Sequence, residues 1–373
     1  MRTIVCRGSC KTPRGMGVPP MKHGQDARAT PARKGFCKSL CLLMALWMTF
    51  GARGDTPTLV VAFWNVENLF DTEDDPDNKG DDAYTPSGWM RWTPWRYRTK
   101  LEHLAEIIAH MKPDVLCLTE VENRRVLEDL SEALLSRHSC KLSVIVHRDS
   151  RDKRGIDVAL MTHLTPVATN WLESAEGQRE VLVCEFNVDG RSLTVLVNHW
   201  KSQLGKKAVS DFIRRQEAST VRAYLDKRLE RDPAAAMLVA GDFNDNPESE
   251  ILVETAGLVP DEARVRADTS GRSLFNLAAS LPEERRATYY YAAGKKWNVM
   301  DSISVTRGML EDVEPTAPWR VVKDGYSVVR TPAQCDEDGT PIPFRFVRSK
   351  TKGNAFKTGY SDHFPVRVKL KAR

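Results

Sequence analysis

Four apolar, strand-like segments follow one another between residues 142 and 199, and no helical pattern separates them. They read LSVIVH, IDVALM, EVLVCEF and SLTVLVNH, at residues 142–147, 156–161, 180–186 and 192–199. Short runs rich in β-branched and aromatic residues are typical of buried strands. A parallel sheet built by strict alternation of strand and helix is therefore excluded.

The rest of the chain from Thr58 mixes strand-like and helix-like segments. Further strands are predicted at 58–65, 115–120, 236–244, 298–306 and 365–371, and helices at 97–112, 123–137 and 209–231. This mixture favours an α/β (α+β) fold in which two sheets pack together with helices outside. Residues 71–97 and 316–358 are predicted to be long loops, which inside a compact domain are usually functional or disordered.

The first 53 residues differ in charge from the rest of the chain. The net charge of the whole chain is +5, but residues 1–53 carry ten Lys and Arg and only one acid. The remainder is therefore slightly acidic. Global charge gives no argument for a nucleic-acid partner, so any such argument must rest on local patches.

Residues 33–52 have the order of a secretory signal. Arg33, Lys34 and Lys38 precede the apolar run SLCLLMALWMTFGA, which contains small residues at its end. This run is shorter than the roughly 20 residues that span a bilayer. We expect a signal peptide within 1–53, a mature domain at 54–373, a secreted or periplasmic location and no stable membrane insertion after cleavage. An uncleaved anchor is the alternative.

Four cysteines remain beyond the leader, namely Cys117, Cys140, Cys184 and Cys335. Their number permits two disulfides in an oxidising compartment. Cys117 and Cys184 lie inside apolar strand-like runs, which favours buried free thiols. No CxxC pair remains in this part, so a zinc–cysteine site is not expected.

Polar side chains suited to metal or phosphate chemistry recur where the predicted strands end. They are Asn65 and Glu67, Glu120, His199, Asp242 and Asn244, Asp301, and Asp362 and His363. Each alone has an ordinary explanation as a turn, capping or solvated residue. Six strand ends with compatible chemistry favour a common site, and oxygen donors of this kind suit Mg²⁺, Mn²⁺ or Ca²⁺. The HExxH, P-loop, GxGxxG and GxSxG motifs are absent.

Seven segments carry a family resemblance. FWNVENLFD, LCLTEVEN, RGIDVALM, VNHWKSQ, AGDFND, MDSISV and YSDHFPV occur in this order between Val60 and Val368. With them the chain resembles the endonuclease/exonuclease/phosphatase superfamily, and the WNVENLFDTEDDP and HWKSQ forms resemble its exported bacterial branch. The resemblance implies a four-layer sandwich, with two mixed β-sheets face to face, helices outside and the site at one edge of the sheets.

The resemblance also implies a role for each residue of the site. Glu120 is expected to be the main Mg²⁺ ligand, with Asn65 and Glu67 beside it, and Mn²⁺ is a possible substitute. His199 and Asn244 are expected to bind the scissile phosphate. Asp242 is expected to align or deprotonate the attacking water. Asp301 is expected to hydrogen-bond His363 so that the pair acts as a base, and Asp362 to lie near the metal. A structural Ca²⁺ at the acidic loop 71–82 is left open.

The substrate is less constrained than the reaction. Aromatic and basic residues alternate in Trp89, Arg91, Trp92, Trp95, Arg96, Tyr97, Arg98 and Lys100, and Lys201, Lys206, Lys207, Arg214 and Arg215 follow His199. Such residues favour a nucleic-acid substrate, although packing tryptophans and solvated cations explain them equally well. The alternatives are a phosphatase or phosphodiesterase for lipid head groups or small phosphate esters, and a non-catalytic binding protein. A monomer is expected.

Overall fold

The computed structural model describes residues 56–347 and 355–373. The strands are β1 Thr58–Leu69, β2 Val115–Val121, β3 Val144–His147, β4 Asp157–Thr162, β5 Ala168–Leu172, β6 Val181–Val188, β7 Arg191–His199, β8 Met237–Asp242, β9 Leu258–Val259, β10 Leu274–Asn276, β11 Tyr289–Tyr291, β12 Lys296–Asn298, β13 Asp301–Thr306, β14 Trp319–Val328, β15 Phe346–Val347, β16 Ala355–Phe356 and β17 Val366–Ala372. The helices are α1 Pro94–Met111, α2 Arg124–His138, α3 Lys207–Arg231, α4 Glu262–Ala267 and α5 Glu283–Arg286.

Two large mixed sheets form the centre of the fold. The first has six strands in the order β14-β17-β1-β2-β4-β3, and the second has seven in the order β5-β6-β7-β8-β13-β10-β9. Only β1–β2, β7–β8 and β9–β10 are parallel pairs among the described strands of these sheets. Strands β11–β12 and β15–β16 form two small hairpin sheets outside them.

Alternation along β1 shows how the layers are built. Val61 and Phe63 belong to the core between the two sheets, whereas Ala62 and Trp64 pack on the opposite face beneath α1 and α2. The second sheet does the same with α3 on its outer face. Because both faces of the central strands are buried, these strands are apolar along nearly their whole length. The predicted four-layer arrangement of two mixed sheets with helices outside is confirmed.

Two helices begin at residues that stabilise a helix N-terminus. The Thr93 hydroxyl accepts a hydrogen bond from the Arg96 backbone N–H, and Pro94 follows at the first helical position. The Asn123 side chain accepts from Val126 N–H in the same way for α2. The predicted start of the first helix at residue 97 was therefore three residues too late.

The predicted loop at 316–358 was wrong over residues 319–328, which form the ten-residue edge strand β14. This strand pairs with β17, and its register shifts between Val321 and Tyr326. Asp324 lies there in the left-handed region at φ 56°. The polar Lys323–Asp324–Gly325 bulge interrupts the apolar pattern, which hides the strand from a periodicity argument. Strand β5 was also missed. It is an exposed edge strand, so its sequence lacks the apolar pattern of a buried strand.

Cys117 and Cys184 are free thiols buried in the core between the sheets, as expected. The predicted leader and the boundary at residues 53 and 54 lie outside the described residues and stay predictions. None of the helices in the described part of the chain has the length and apolar character needed to cross a bilayer.

Candidate active site

The topology brings the polar strand ends to one edge of the sandwich. The parallel neighbours β1 and β2 carry Asn65 and Glu120 there, where their register shifts, and the parallel neighbours β7 and β8 end there with His199 and Asp242. Strands β13 and β17 run antiparallel to their neighbours, so they begin at the same edge. Asp301, the first residue of β13, stands directly opposite Asp242. The predicted residues from six distant parts of the chain are thus gathered in one place.

Backbone irregularities turn two glutamates out of the regular pleat. The β1–β2 register shifts between Asn65 and Leu69, and the β2–β4 register shifts between Thr119 and Val121. Glu67 and Glu120 have φ values of 54° and 64°, in the left-handed region that non-glycine residues seldom adopt. Each such residue costs on the order of 1 kcal/mol or more. The fold retains this strain at two acidic side chains of this edge, Glu67 in the protein interior and Glu120 at the cavity.

His363 forms a buried pair with Asp301. Its Nδ1 lies 2.7 Å from Asp301 Oδ2, and its Nε2 lies 4.0 Å from Asp242 Oδ2. Burial acts to lower the pKa of His363, but the carboxylates of Asp301, Asp242 and Asp362 outweigh burial and raise this pKa well above its ordinary value. These carboxylates favour the protonated imidazole, whose Nδ1–H donates to Asp301 Oδ2. The backbone carbonyl of His363 accepts from Trp64 Nε1–H at 2.9 Å, which fixes the residue to β1.

Asp242 lies between the two histidines and is held by hydrogen bonds on both oxygens. Its Oδ2 accepts from Asn65 Nδ2 at 2.9 Å, and its Oδ1 accepts from the backbone N–H of Asn244 at 2.9 Å. Burial, together with the nearby Asp301 carboxylate, raises the pKa of Asp242 to about 7. A carboxylate of this kind can take up a proton near neutral pH.

Asn65 orients carboxylates. Its amide oxygen accepts from the backbone N–H of Glu67 at 3.0 Å, so its amide nitrogen faces the site. That nitrogen donates to Asp242 and also lies 3.4 Å from Glu120 Oε1. In this geometry Asn65 donates hydrogen bonds from its amide nitrogen to carboxylates. A metal ligand would instead present its amide oxygen to the ion.

His199 is neutral and anchored through its backbone. Burial, followed by the positive charges of Arg179 and Arg154, lowers the pKa of His199 well below its ordinary value. Its Nε2 lies 3.8 Å from both Glu120 Oε1 and Asp242 Oδ2. The buried Arg179 donates to the His199 carbonyl at 3.0 Å and forms an ion pair with Asp152.

Glu120 and Asp362 line a cavity of about 490 Å³ at this edge. Glu120 Oε2 accepts from the backbone N–H of Asn68 at 3.0 Å, which leaves the carboxylate facing the cavity. Asp362 Oδ2 accepts from Arg345 at 2.7 Å. Burial acts to raise the pKa of Asp362, but the Arg345 and His363 charges outweigh burial and lower it.

Glu67 does not line this cavity, in contrast to its predicted position beside Glu120. Its side chain is fully buried, and Oε2 accepts from the backbone N–H groups of Phe344 and Asp362 at 2.7 and 3.1 Å. Its Oε1 lies 3.0 Å from the Arg345 guanidinium. Burial, and then the Asp362 charge, raises the pKa of Glu67 to about 7. Glu67 therefore fastens the backbone at Phe344 and at Asp362 to β1.

Asn244 lies at the cavity, but its amide nitrogen is engaged with protein. It donates to the Trp200 carbonyl at 3.0 Å, and the residue has a left-handed φ of 50°. Phosphate binding by this side chain, as predicted, requires the amide to leave that carbonyl. The backbone carbonyl of Asn244 accepts from Gln203, another residue of the cavity wall.

Among the residues of the cavity wall that the sequence reasoning missed, five are charged or aromatic. Three are cations and two are aromatic, namely Arg154, Lys296, Arg345, Tyr289 and Tyr291. They lie in loops or in short hairpin strands whose length gives no reliable periodic signal. The visible signals in the sequence are the tyrosine triplet at 289–291 and the RGIDVALM segment, which begins at Arg154.

The aromatic and basic residues at 89–100, which run into the first turns of α1, divide into two groups. Trp92, Tyr97 and Lys100 are buried, and Lys100 donates to the backbone carbonyls of Glu67 and Tyr360. These residues hold the fold together and are not available to a substrate. Trp95 is exposed on α1 and lies outside the cavity wall. The basic residues after His199 are likewise divided, since Arg214 is buried and paired with Asp211.

The acidic loop borders a second cavity, of about 1050 Å³, which is separate from the site above. Carboxylate oxygens of Asp74, Asp81 and Asp82 lie within 4.8 Å of one another, and Asp81 is buried. Burial raises the pKa of Asp81. This arrangement is compatible with the structural Ca²⁺ considered from the sequence, which stays a prediction.

A two-sheet sandwich with a His–Asp pair and further carboxylates at one edge defines the class of phosphoester-cleaving hydrolases of this fold. The sequence profile of the Endonuclease/Exonuclease/phosphatase family matches residues 60–372, and the chain belongs to that family. No curated protein sequence matches the chain significantly.

Solved structures support the same fold. TDP2 from C. elegans is 13% identical, with a TM-score of 0.52 over 86% of this chain and 77% of that chain. D. rerio TDP2 in complex with a single-strand DNA product is also 13% identical, with a TM-score of 0.50 over 84% of this chain and 99% of that chain. At this level of identity the likeness shows the fold alone.

Proposed function

We propose that this protein hydrolyses phosphodiester bonds with the help of a divalent cation, and that it is an exported endonuclease. The observation that carries the proposal is the edge cluster itself. Glu120, His199, Asp242 and the Asp301–His363 pair come from different strands, yet they meet around one cavity. Side chains placed this way position a phosphate, a water and a proton acceptor together.

The donor set fits a hard divalent cation. Glu120 and Asp362 both present carboxylate oxygens to the cavity, close to the buried Asp242. Three acids in one cavity repel a phosphate unless positive charge offsets them. Glu120 and Asp362 would hold the ion, with Asp242 near it, and Mg²⁺ or Mn²⁺ suits such oxygen donors. When bound, the cation supplies positive charge against the charge that develops on the phosphate.

Proton transfer is assigned to Asp242. Its carboxylate lies at the cavity between His199 and His363, where it can accept the proton of the attacking water as the new phosphorus–oxygen bond forms. His363, protonated and held by Asp301, donates from Nε2 to a phosphate oxygen and stabilises the transition state. The expectation that the Asp301–His363 pair serves as the base is the alternative, and it stays a prediction. The ester bond then breaks, and the leaving oxygen takes its proton from solvent.

A nucleic-acid substrate is favoured by the charge of the cavity wall. Arg154, Arg345 and Lys296 supply cations around the catalytic groups, and Tyr289 and Tyr291 supply aromatic surface. Single-stranded nucleic acids are bound by this combination of phosphate contacts and stacking platforms. The fold is also one that binds a single-strand DNA product in D. rerio TDP2.

A phosphodiesterase for lipid head groups is the second candidate. Leu204 lines the cavity although it is 81% exposed, and Val209 and Phe212 are exposed close to it in sequence. Lys206 and Lys207 lie between these apolar residues. Apolar side chains next to cations are typical of loops that contact an anionic lipid surface.

Export is proposed from the leader, together with a place in the exported bacterial branch of the family. The order of cations, apolar run and small residues at 33–52 supports both. N-terminal sequencing of the protein recovered outside the cytoplasm tests this proposal. A mature chain that begins upstream of Lys34 would contradict signal cleavage.

The test of the reaction is a substrate panel. Purified protein is incubated with plasmid DNA, RNA, sphingomyelin vesicles, bis-p-nitrophenyl phosphate and p-nitrophenyl phosphate, each with Mg²⁺, Mn²⁺ or EDTA. The proposal predicts cleavage of the diester and of nucleic acid, and loss of both activities in EDTA. Hydrolysis of the monoester alone, or of the vesicles alone, would overturn the nuclease assignment. Activity that survives EDTA would overturn the role of the cation.

A further inference from the structure

The β11–β12 hairpin forms one wall of the active-site cavity. Tyr291 pairs with Lys296 across the hairpin, and Tyr289 pairs with Asn298. Residues two apart on a strand, and the residues paired with them, lie on the same face of a sheet. All four of these residues line the active-site cavity, and together they form what we call the tyrosine face.

The opposite face of the hairpin is fastened to the protein. The Tyr290 and Trp297 rings pack together at 5.1 Å, and the Arg330 guanidinium lies 5.1 Å from the Trp297 ring. Trp297 also stacks on Phe364, the residue after His363. The hairpin is thereby a rigid wall and its tyrosine face has a fixed direction.

Hydrogen bonds tie this wall to the two catalytic strands. Thr288 Oγ1, immediately before β11, accepts from the backbone N–H of Asp301 at 3.1 Å. The carbonyl of Thr288 accepts from Phe364 N–H at 2.8 Å. The Tyr289 ring lies 4.8 Å from the His363 ring. A ligand bound to the tyrosine face is thus held at a set distance from the His363–Asp301 pair.

The two outer members of the tyrosine face remain accessible to a ligand. Tyr291 is 50% exposed, and its ring rests on Gly294, where an added Cβ would lie only 2.7 Å from the ring. Lys296 is exposed beside it. A supported phenol ring with an adjacent ammonium group matches a nucleobase followed by a phosphate.

We propose that the tyrosine face is the nucleoside subsite of this enzyme, where Tyr291 stacks on the base next to the scissile phosphate and Lys296 contacts the adjoining phosphate. This inference rests on the proposed phosphodiesterase function and adds the substrate group that the enzyme recognises. Because of this subsite, we expect a nucleoside diester to have a higher kcat/KM than a simple alkyl diester with the same leaving group.

The experiment compares two diesters that release the same p-nitrophenolate. One is thymidine 5′-(p-nitrophenyl phosphate), and the other is methyl p-nitrophenyl phosphate. The ratio of their kcat/KM values is measured for the wild type, Tyr291→Ala and Tyr291→Phe, with Trp95→Ala as an exposed aromatic control away from the cavity. Stacking on one base is worth roughly tenfold to a hundredfold in this ratio. We expect the ratio to fall by about that factor in Tyr291→Ala and to stay high in Tyr291→Phe and Trp95→Ala.

Other outcomes overturn the inference in distinguishable ways. An unchanged ratio in Tyr291→Ala removes the subsite but leaves the phosphodiesterase function intact. A ratio that falls equally in Tyr291→Phe shows that the hydroxyl, not stacking, recognises the substrate. Wild-type protein that cleaves neither diester but does cleave p-nitrophenyl phosphate overturns the proposed function as well.

The contact of Lys296 with a phosphate is tested by salt dependence. In Lys296→Ala, we expect the rate of oligothymidylate cleavage to depend less steeply on salt concentration, by about one phosphate contact. An unchanged slope removes Lys296 from the subsite.

Discussion

Removing the Glu67 carboxylate separates a structural role from a metal-binding role. In Glu67→Ala, the backbone N–H groups of Phe344 and Asp362 lose their acceptor inside the protein. In Glu67→Gln, the amide oxygen still accepts from both groups, because the side chain keeps its length and shape. The matched control is Glu120→Gln, which alters a carboxylate that faces the cavity.

The expected loss of stability in Glu67→Ala follows from the two buried N–H groups that are left without an acceptor. Each buried N–H without a partner costs about 1–3 kcal/mol, so Glu67→Ala lowers the free energy of unfolding by about 2–6 kcal/mol. The ion pair with Arg345 adds little to this, because the guanidinium is 41% exposed. At pH 6 the Gln variant is a fair match for Glu67, whose pKa is about 7. We expect Glu67→Gln to recover most of the loss.

The assays are urea unfolding in EDTA at pH 6 and calorimetric titration with Mn²⁺ at pH 7.5. We expect Glu67→Gln to bind Mn²⁺ with nearly wild-type affinity and Glu120→Gln to bind it at least tenfold more weakly. If Glu67→Gln unfolds like the wild type yet loses Mn²⁺ affinity as fully as Glu120→Gln, then Glu67 is a metal ligand and the reasoning from its burial is wrong.

Three further perturbations test other parts of the structure. Asp301→Asn removes the charge that keeps His363 protonated, and we expect kcat on bis-p-nitrophenyl phosphate to fall roughly a hundredfold. Burial raises the pKa of Glu217 from 4.5 to about 7, so the folded state binds more protons than the unfolded state between those values. Stability therefore falls by about 3 kcal/mol as pH rises through this window, and urea unfolding of Glu217→Gln at pH 5 and pH 8 should lack that dependence. In Gly80→Ala the new Cβ would lie 2.1 Å from the Arg154 carbonyl oxygen, so we expect a loss of about 1–3 kcal/mol in urea unfolding.

The sequence predicts the fold because both faces of the central strands are buried. A strand such as β8 is apolar along most of its length and then ends abruptly at Asp242. That contrast marks both the strand and the functional residue that follows it. The predicted packing of two sheets follows from this pattern, whereas the position of the site at one edge of the sheets is implied by the family resemblance.

The missed features depend on contacts between distant parts of the chain. Nothing local to Lys100 shows that its ammonium is buried against the carbonyl of Tyr360, 260 residues away. Nothing local to Glu67 shows that its carboxylate accepts a hydrogen bond from the backbone N–H of Phe344, 277 residues away. A charged residue on a predicted helix or at a strand end is ordinarily solvated, and only tertiary structure reveals the exceptions.

The central claim is that the edge cluster performs metal-dependent phosphodiester hydrolysis, with Asp242 accepting the proton. The most direct measurement is kcat on bis-p-nitrophenyl phosphate for the wild type and Asp242→Asn, with Mg²⁺ and with EDTA, after equal thermal stability has been verified. The account predicts Mg²⁺-dependent turnover by the wild type and a loss of roughly a hundredfold or more in Asp242→Asn. A folded Asp242→Asn variant that turns over as fast as the wild type would contradict it.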